Sequence, residues 1–350
     1  LMIKQLLKKT EYAAVGTFLL AVDAMHFTQT RIATIDSYGV FFIILMYLFM
    51  FRYCQMNFYF DDFKKTLIPL GLSGVCMGLG IASKWICIYA GIGLAVLFFY
   101  TLIRRYLEYR QAMRSGGSTR AEIAARRHFW EYFFKTGAFC IVFFIVVPVL
   151  IYYFSYYWYM KPLGGLSVSG VWQRQINMFN YHKGLSNDTH FFRSPWYEWP
   201  LIIKPMWYYS GTAFMPEGVI SSISCMGNPA VWWGGLLALI FVIVQLLRGK
   251  GDRTCLYLVI AFAAQYLPWV LVPRSMYIYH YFASVPFIIL ATAWWLDRLP
   301  RSRPRLRMGV MALYLVGALV FFVMFFPYAS GWLTSTGWLD AMKWFSKLYY

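Results

Sequence analysis

The stretch TQTRIATIDSY, Thr28 to Tyr38, places Arg31 and Asp36 between two apolar runs. At the edge of a membrane, a guanidinium and a carboxylate can form a polar turn, tie two helices together as an ion pair, or handle a charged substrate. The same side of the chain carries Lys84 in a second turn and Arg274 with His280 in VPRSMYIYHYF. A longer segment adds His182, His190 and Lys204, with Trp196, Tyr197, Trp199, Trp207, Tyr208 and Tyr209 among them. Cations gathered at a bilayer edge can neutralise a lipid phosphate through charge-assisted hydrogen bonds. Aromatic faces suit a sugar ring or a peptide. Plainer readings stand beside these: Lys84 snorkelling to headgroups, and Trp and Tyr as interfacial anchors. His182 and His190 lack a third ligand, so no metal site is expected. Asn187 opens an NDT glycosylation sequon, a pattern frequent by chance.

These residues need elements to position them, and the composition says which kind. The 350 residues are 60% hydrophobic and 13% charged, with a mean hydropathy of +0.53. A soluble domain could not hide that much apolar surface, whereas a bundle of membrane helices lets lipid cover it. Nine apolar runs predict an all-α integral-membrane helix bundle: Tyr12–Phe27, Tyr38–Phe51, Leu67–Ala82, Trp85–Leu102, Thr136–Tyr157, Ala230–Leu247, Leu256–Val272, Tyr279–Trp295 and Met308–Tyr328. Lys84 marks a turn between the third and fourth. The runs divide the chain into residues 1–157 with five helices, a large outer-face segment over 158–229, and residues 230–350 with four helices.

Charge orients the bundle. One set of loops holds 22 Lys and Arg and the other 10, so the first set is expected on the cytoplasmic side. The active face, with Arg31, Lys84 and Arg274, is then outward. Most of the net charge of +18 is thereby a topology signal touching anionic lipid, not a nucleic-acid surface. The inner loop from Ile103 to Lys135 contains STRAE, which can cap a short helix. Gly74 and Gly78 in GVCMGLG have the G-x-x-x-G spacing of close helix packing. The six cysteines form no C-x-x-C pair and read as apolar core residues.

Several stretches resemble the protein O-mannosyltransferase family. LLAVDAMHFTQTRIATIDSY is similar to its third-helix region, with a Q-[ST]-R-x-x-x-x-D segment, and GVCMGLGIASKWICIYAGIGL to its G-L-x-x-[ST]-K-W segment. NYHKGLSNDTHFFRSPWYEWPLIIKPMWYY resembles the outer Y-H-x-G-L segment and its Trp-rich continuation, although Phe191 replaces the proline that follows the family's histidine. GNPAVWWGG, PRSMYIYHYFASVPF and FPYASGW resemble the C-terminal region, and all the matches run in family order.

The resemblance implies a C-type glycosyltransferase. Such an enzyme moves mannose from a polyprenyl-phosphate donor to Ser or Thr of a secreted or membrane protein, with inversion and without a further cofactor. The outer segment is too short for the β-trefoil MIR domain of eukaryotic members. The bacterial branch and its plasma membrane are therefore expected, or the ER membrane if the source is eukaryotic. The family's catalytic Asp-Glu pair lies ahead of the region matched by Leu1, and the chain contains no Asp-Glu dipeptide. A start downstream of the catalytic pair is the expectation, so no catalytic residue is assigned within these residues. Arg31 and Lys84 are expected at the donor phosphate, with Asp36 orienting a cation. Arg274 and His280 are further candidates for that site, and His190 and Trp199 for the sugar or acceptor path. Three alternatives stay open: a polyprenyl-phosphate-sugar transferase using another sugar or a lipid or glycan acceptor, a transporter, and a non-catalytic subunit of a paired complex. A dimer is also left open.

Overall fold

The computed structural model describes residues 1–116, 119–184, 190–211, 215–344 and 348. The chain opens with helices α1 (Met2–Leu7), α2 (Thr10–Ala21), α3 (Ala24–Arg31), α4 (Ile35–Gln55) and α5 (Phe63–Ser83). Next come α6 (Cys87–Arg114), α7 (Arg120–Ile141), α8 (Val147–Ser155), α9 (Tyr157–Met160) and α10 (Val168–Gly184). Strands β1 (Met206–Ser210), β2 (Val219–Ile220) and β3 (Ser222–Cys225) follow. The chain closes with α11 (Pro229–Leu247), α12 (Arg253–Tyr266), α13 (Val285–Asp297), α14 (Pro304–Ser330), β4 (Thr334–Ser335) and α15 (Thr336–Ala341).

Among the described residues, 8 helical stretches are long and apolar enough to cross a membrane. Their exposed surface supports that reading. Phe134, Ile145, Val149, Leu237, Leu313 and Val323 all stand exposed, more apolar surface than water tolerates on one molecule. The run Tyr12–Phe27 is instead divided between α2 and α3, broken at Val22 and Asp23. The inner segment 103–135 is also more ordered than its charge suggests. Helix α6 runs on to Arg114, and α7 starts at Arg120. Thr119 caps α7 in a reciprocal box with Glu122, the role its STRAE setting predicts. The sequon at Asn187 lies outside the described residues.

The chain forms two compact units, residues 1–37 with 179–262 and 266–350, and residues 38–178 with 263–265. In the second, α5 packs along α7 and α8. Pro148 has no N–H for the carbonyl one turn back, and the preceding turn, Val142–Val146, widens into a π-helix. A Cβ on Gly74 would stand 2.2 Å from the Phe143 carbonyl oxygen, and one on Gly78 would stand 2.9 Å from the Pro148 Cα. Glycine is thus required at both points of approach. Gly74→Leu is expected to cost about 1–3 kcal/mol through overpacking, read as a lower melting midpoint in detergent. Gly309→Ala, with nothing within 4 Å of its Cβ, should leave the midpoint unchanged or raise it.

The first unit is built around α13. Nearly every side chain from Val285 to Asp297 is buried, and α13 packs on α2 and α11. Gly235 of α11 lets Ile288 approach to 2.9 Å of the Cβ position. The basic end is pinned by charge: Lys9 pairs with Asp297, and Arg298 with Asp252. Strands β1 and β3 pair antiparallel, Met206 opposite Cys225 and Ser210 opposite Ser222, with an irregularity between Trp207 and Tyr209. Strand β2 pairs with β4. These two small sheets are an addition to a helical fold.

Candidate functional site

The site is built outward from the break between α2 and α3. An aspartate inside an apolar run must find donors or cost several kcal/mol. Asp23 finds three: the Asn228 backbone N–H at 3.0 Å, the Trp232 indole N–H at 2.9 Å and the His26 backbone N–H at 3.1 Å. The last bond is an N-cap, which starts α3 in a new direction. The Asn228 side chain donates to the carbonyls of Val22 and Ala318, both at 2.8 Å. Asp23 and Asn228 therefore lock the entry to α3 against α11 and α14.

Helix α3 then presents TQTR. Thr28 donates to the Ala329 carbonyl at 3.1 Å. The Gln29 amide donates to the Tyr208 hydroxyl at 3.1 Å, and its oxygen accepts from Thr34 at 2.6 Å. Burial pushes the Tyr208 phenol well above the ordinary tyrosine value. The Asp36 carboxylate adds to that rise, and the Gln29 bond opposes it. Tyr208 therefore keeps its proton across the working pH range. Arg31 is exposed at the last turn of α3, and Asp36 is buried in the first turn of α4.

The polar aromatic segment folds against the turn after α12. The Ser194 N–H donates to the Met276 carbonyl at 2.8 Å. Trp199, 0% exposed, donates its indole N–H to the Ser194 carbonyl at 3.2 Å and hydroxyl at 3.1 Å. His280 stacks on Trp199 at 5.8 Å and meets Trp269 at 4.3 Å. His190 is exposed, with its ring edge-on to Tyr277 at 5.3 Å. Between residues 193–195 and 273–276 lies a cleft of about 300 Å³, and both Arg193 and Arg274 line it. Trp199→Phe removes the indole donor from two buried acceptors. It is expected to cost about 1–3 kcal/mol, and to speed hydrogen exchange of the Ser194 amide more than that of amides in α13.

Residues 1–163 match the family model described as dolichyl-phosphate-mannose-protein mannosyltransferase. Residues 167–348 match the C-terminal four-transmembrane region of protein-O-mannosyltransferase. This chain belongs to the protein O-mannosyltransferase family. That membership removes the transporter reading. The polyprenol-phosphate-mannose–protein mannosyltransferase of Corynebacterium glutamicum is 22% identical over 98% of this chain and 72% of its own length. The Mycobacterium tuberculosis protein of the same name is 20% identical over 82% of this chain and 60% of its own length. The chain thus spans between 60% and 72% of these two relatives. Among solved structures, the Saccharomyces cerevisiae Pmt1-Pmt2 complex bound to the sugar donor matches with a TM-score of 0.78. That match has 13% identity and covers 98% of this chain and 77% of the matched one. At that identity the likeness is one of fold.

Within this mannosyltransferase fold, the residues singled out from sequence fall into distinct places. Trp199 and His280 are brought together, and both are buried. Arg274 faces the cleft with Arg193. Arg31 makes no ion pair with Asp36 among the described residues. Lys84 belongs to the second unit, half-buried at the C-cap of α5. Asp23, Gln29 and Arg193 escaped the sequence reading as site residues, and Tyr208 figured there only as one aromatic of the outer segment. Asp23 and Gln29 did carry a signal, being polar side chains in or beside an apolar run.

Proposed function

We propose that this chain is the membrane body of a protein O-mannosyltransferase. It would pass mannose from polyprenyl-phosphate mannose to Ser or Thr of a protein at the outer or lumenal face. The observation that carries this reading is the succession of two family matches over residues 1–163 and 167–348. The activities named for the two bacterial relatives support the donor and the acceptor class. They also favour a bacterial plasma membrane, and the yeast complex favours a paired assembly.

In this reaction the mannose C1–O(phosphate) bond breaks and a C1–O bond to the acceptor forms. The hydroxyl proton passes to a carboxylate base, and polyprenyl phosphate leaves. A hydroxyl is a weak nucleophile without such a base. Asp23 is a poor choice, because its oxygens are taken by Asn228, Trp232 and His26. No catalytic base is assigned among the described residues. Arg31, exposed at the end of an anchored α3, is the proposed cation for charge growing on the leaving phosphate. Asp36 is proposed to orient a cation at that site, and Lys84 is a further candidate for the phosphate. Trp199 and His280 act as positioning residues, with His190 at the outer surface.

A second reading keeps the donor class and changes the sugar. Membranes containing the complete gene product would be given polyprenyl-phosphate mannose or polyprenyl-phosphate glucose, with a Ser/Thr-rich peptide. Faster consumption of the mannosyl donor supports the proposal. Preference for the glucosyl donor, or sugar appearing only in lipid, overturns it.

A further inference from the structure

We infer that an anionic phospholipid of the inner leaflet seats one acyl chain in the groove between α5 and α7, with its phosphate on Lys64. This site goes beyond the proposed function and needs neither its sugar nor its acceptor. Three observations carry it.

The first is shape. The groove, of about 370 Å³, is walled by Ile68, Leu72 and Val75 of α5, by Phe139 of α7 and by Phe143 of the π-turn. Gly71 keeps it open. A Cβ there would stand 2.9 Å from the edge of the Phe139 ring, and Phe139 is stacked on Phe143 at 4.3 Å. The walls are thus fixed by helix packing, and the rim faces lipid, with Ile68 60% exposed.

The second is length. Helix α5 rises about 16 Å between Lys64 and Val75, and one leaflet contributes about 15 Å of hydrocarbon. Past Val75 the helices close on each other, where a Cβ on Gly78 would stand 2.9 Å from the Pro148 Cα. A chain that ends at the bilayer midplane fits this groove. A polyprenyl chain, longer than one leaflet, would run into the closed end.

The third is charge. Hydrocarbon surrounds every span, so an apolar groove alone cannot tell one lipid from another, and the polar mouth must do so. Lys64 lines the groove at that mouth, exposed and without an ion pair among the described residues. The neighbouring carboxylates are turned to the backbone: Asp62 accepts from the Lys64 N–H at 3.0 Å, and Asp61 from the Asn57 N–H at 2.7 Å. Lys64 belongs to the set of basic loops expected on the cytoplasmic side, where anionic headgroups attract lysine. Lys84, the candidate for the donor phosphate, stands at the opposite end of α5, so the inferred lipid is not the sugar donor.

The test is photolabelling of the complete gene product in vesicles. Phosphatidylglycerol and phosphatidylcholine with identical chains carry a diazirine at the chain end, and the adducts are mapped by peptide mass spectrometry. Phosphatidylglycerol should label the peptides of Val75 and Phe143 about fivefold more than phosphatidylcholine, the preference one lysine gives to an anionic headgroup. Lys64→Glu should bring the two lipids level, and Lys64→Arg should keep the preference. The comparison of lipids on the unaltered protein does not depend on a variant folding. Equal labelling by the two lipids, an excess that survives Lys64→Glu, or stronger labelling of these peptides by a diazirine-bearing polyprenyl phosphate overturns the site. No sugar transfer is read, so this test can fail while mannosyl transfer succeeds, and the reverse.

Discussion

Arg31→Ala in the complete gene product is expected to lower mannosyl transfer about a hundredfold or more, the scale seen when one oriented charge-stabilising group is lost. Accumulation of the protein in the membrane should not change. Arg31 is exposed and supports no buried contact, so its removal leaves no cavity and no orphaned partner. Its backbone is nevertheless fixed. Thr28 is bonded to Ala329, and Gln29 to Tyr208, within the turn that ends in Arg31. A cation on a rigid helix end needs little reorganisation as charge develops on the leaving phosphate. The loss should appear in kcat, with a smaller change in KM for the lipid donor, because the charge grows toward the transition state. Arg31→Lys should recover part of the rate, since charge is kept and the planar fork is lost. A variant with unaltered turnover would remove Arg31 from the site.

Asp23→Leu is expected to be the most damaging single change to the fold. The substitution leaves the Trp232 indole N–H and the Asn228 and His26 backbone N–H groups without their acceptor in a buried place. Hydrogen bonds to a charged group and the orphaned donors together make a cost of about 3–5 kcal/mol. That is a large fraction of the stability of an ordinary domain. The melting midpoint and membrane yield should both fall. Asp23→Asn keeps an oxygen acceptor and should be milder. Equal yields for Leu and Asn would mean that the α2–α3 break does not depend on the carboxylate.

The spans were legible because each is a long apolar run, and lipid imposes the same requirement on all of them. Thr119 and Glu122 were legible because a capping box is local. Gly74 and Gly78 were legible as a spacing, while the surface they meet, at Phe143 and Pro148, is set by the π-turn far along the chain. The break at Asp23 was hidden because hydropathy averages over a single charged residue. Its acceptors' partners, Asn228 and Trp232, lie some two hundred residues away. Helix α6 continues through Arg114 because helix propensity persists where apolar character ends, a boundary that hydropathy reads as a loop. Arg193 looked like one cation among several in a polar segment. Only the Ser194–Met276 bond brings it to the cleft that Arg274 lines.

The measurement that tests the central claim most directly is site-resolved mass spectrometry of a Ser/Thr-rich peptide. The peptide is incubated with purified polyprenyl-phosphate mannose and membranes containing the complete gene product. The account predicts one hexose on a Ser or Thr oxygen, with polyprenyl phosphate released in equal amount. An intact donor with unmodified peptide, or hexose transferred only to lipid, would contradict it.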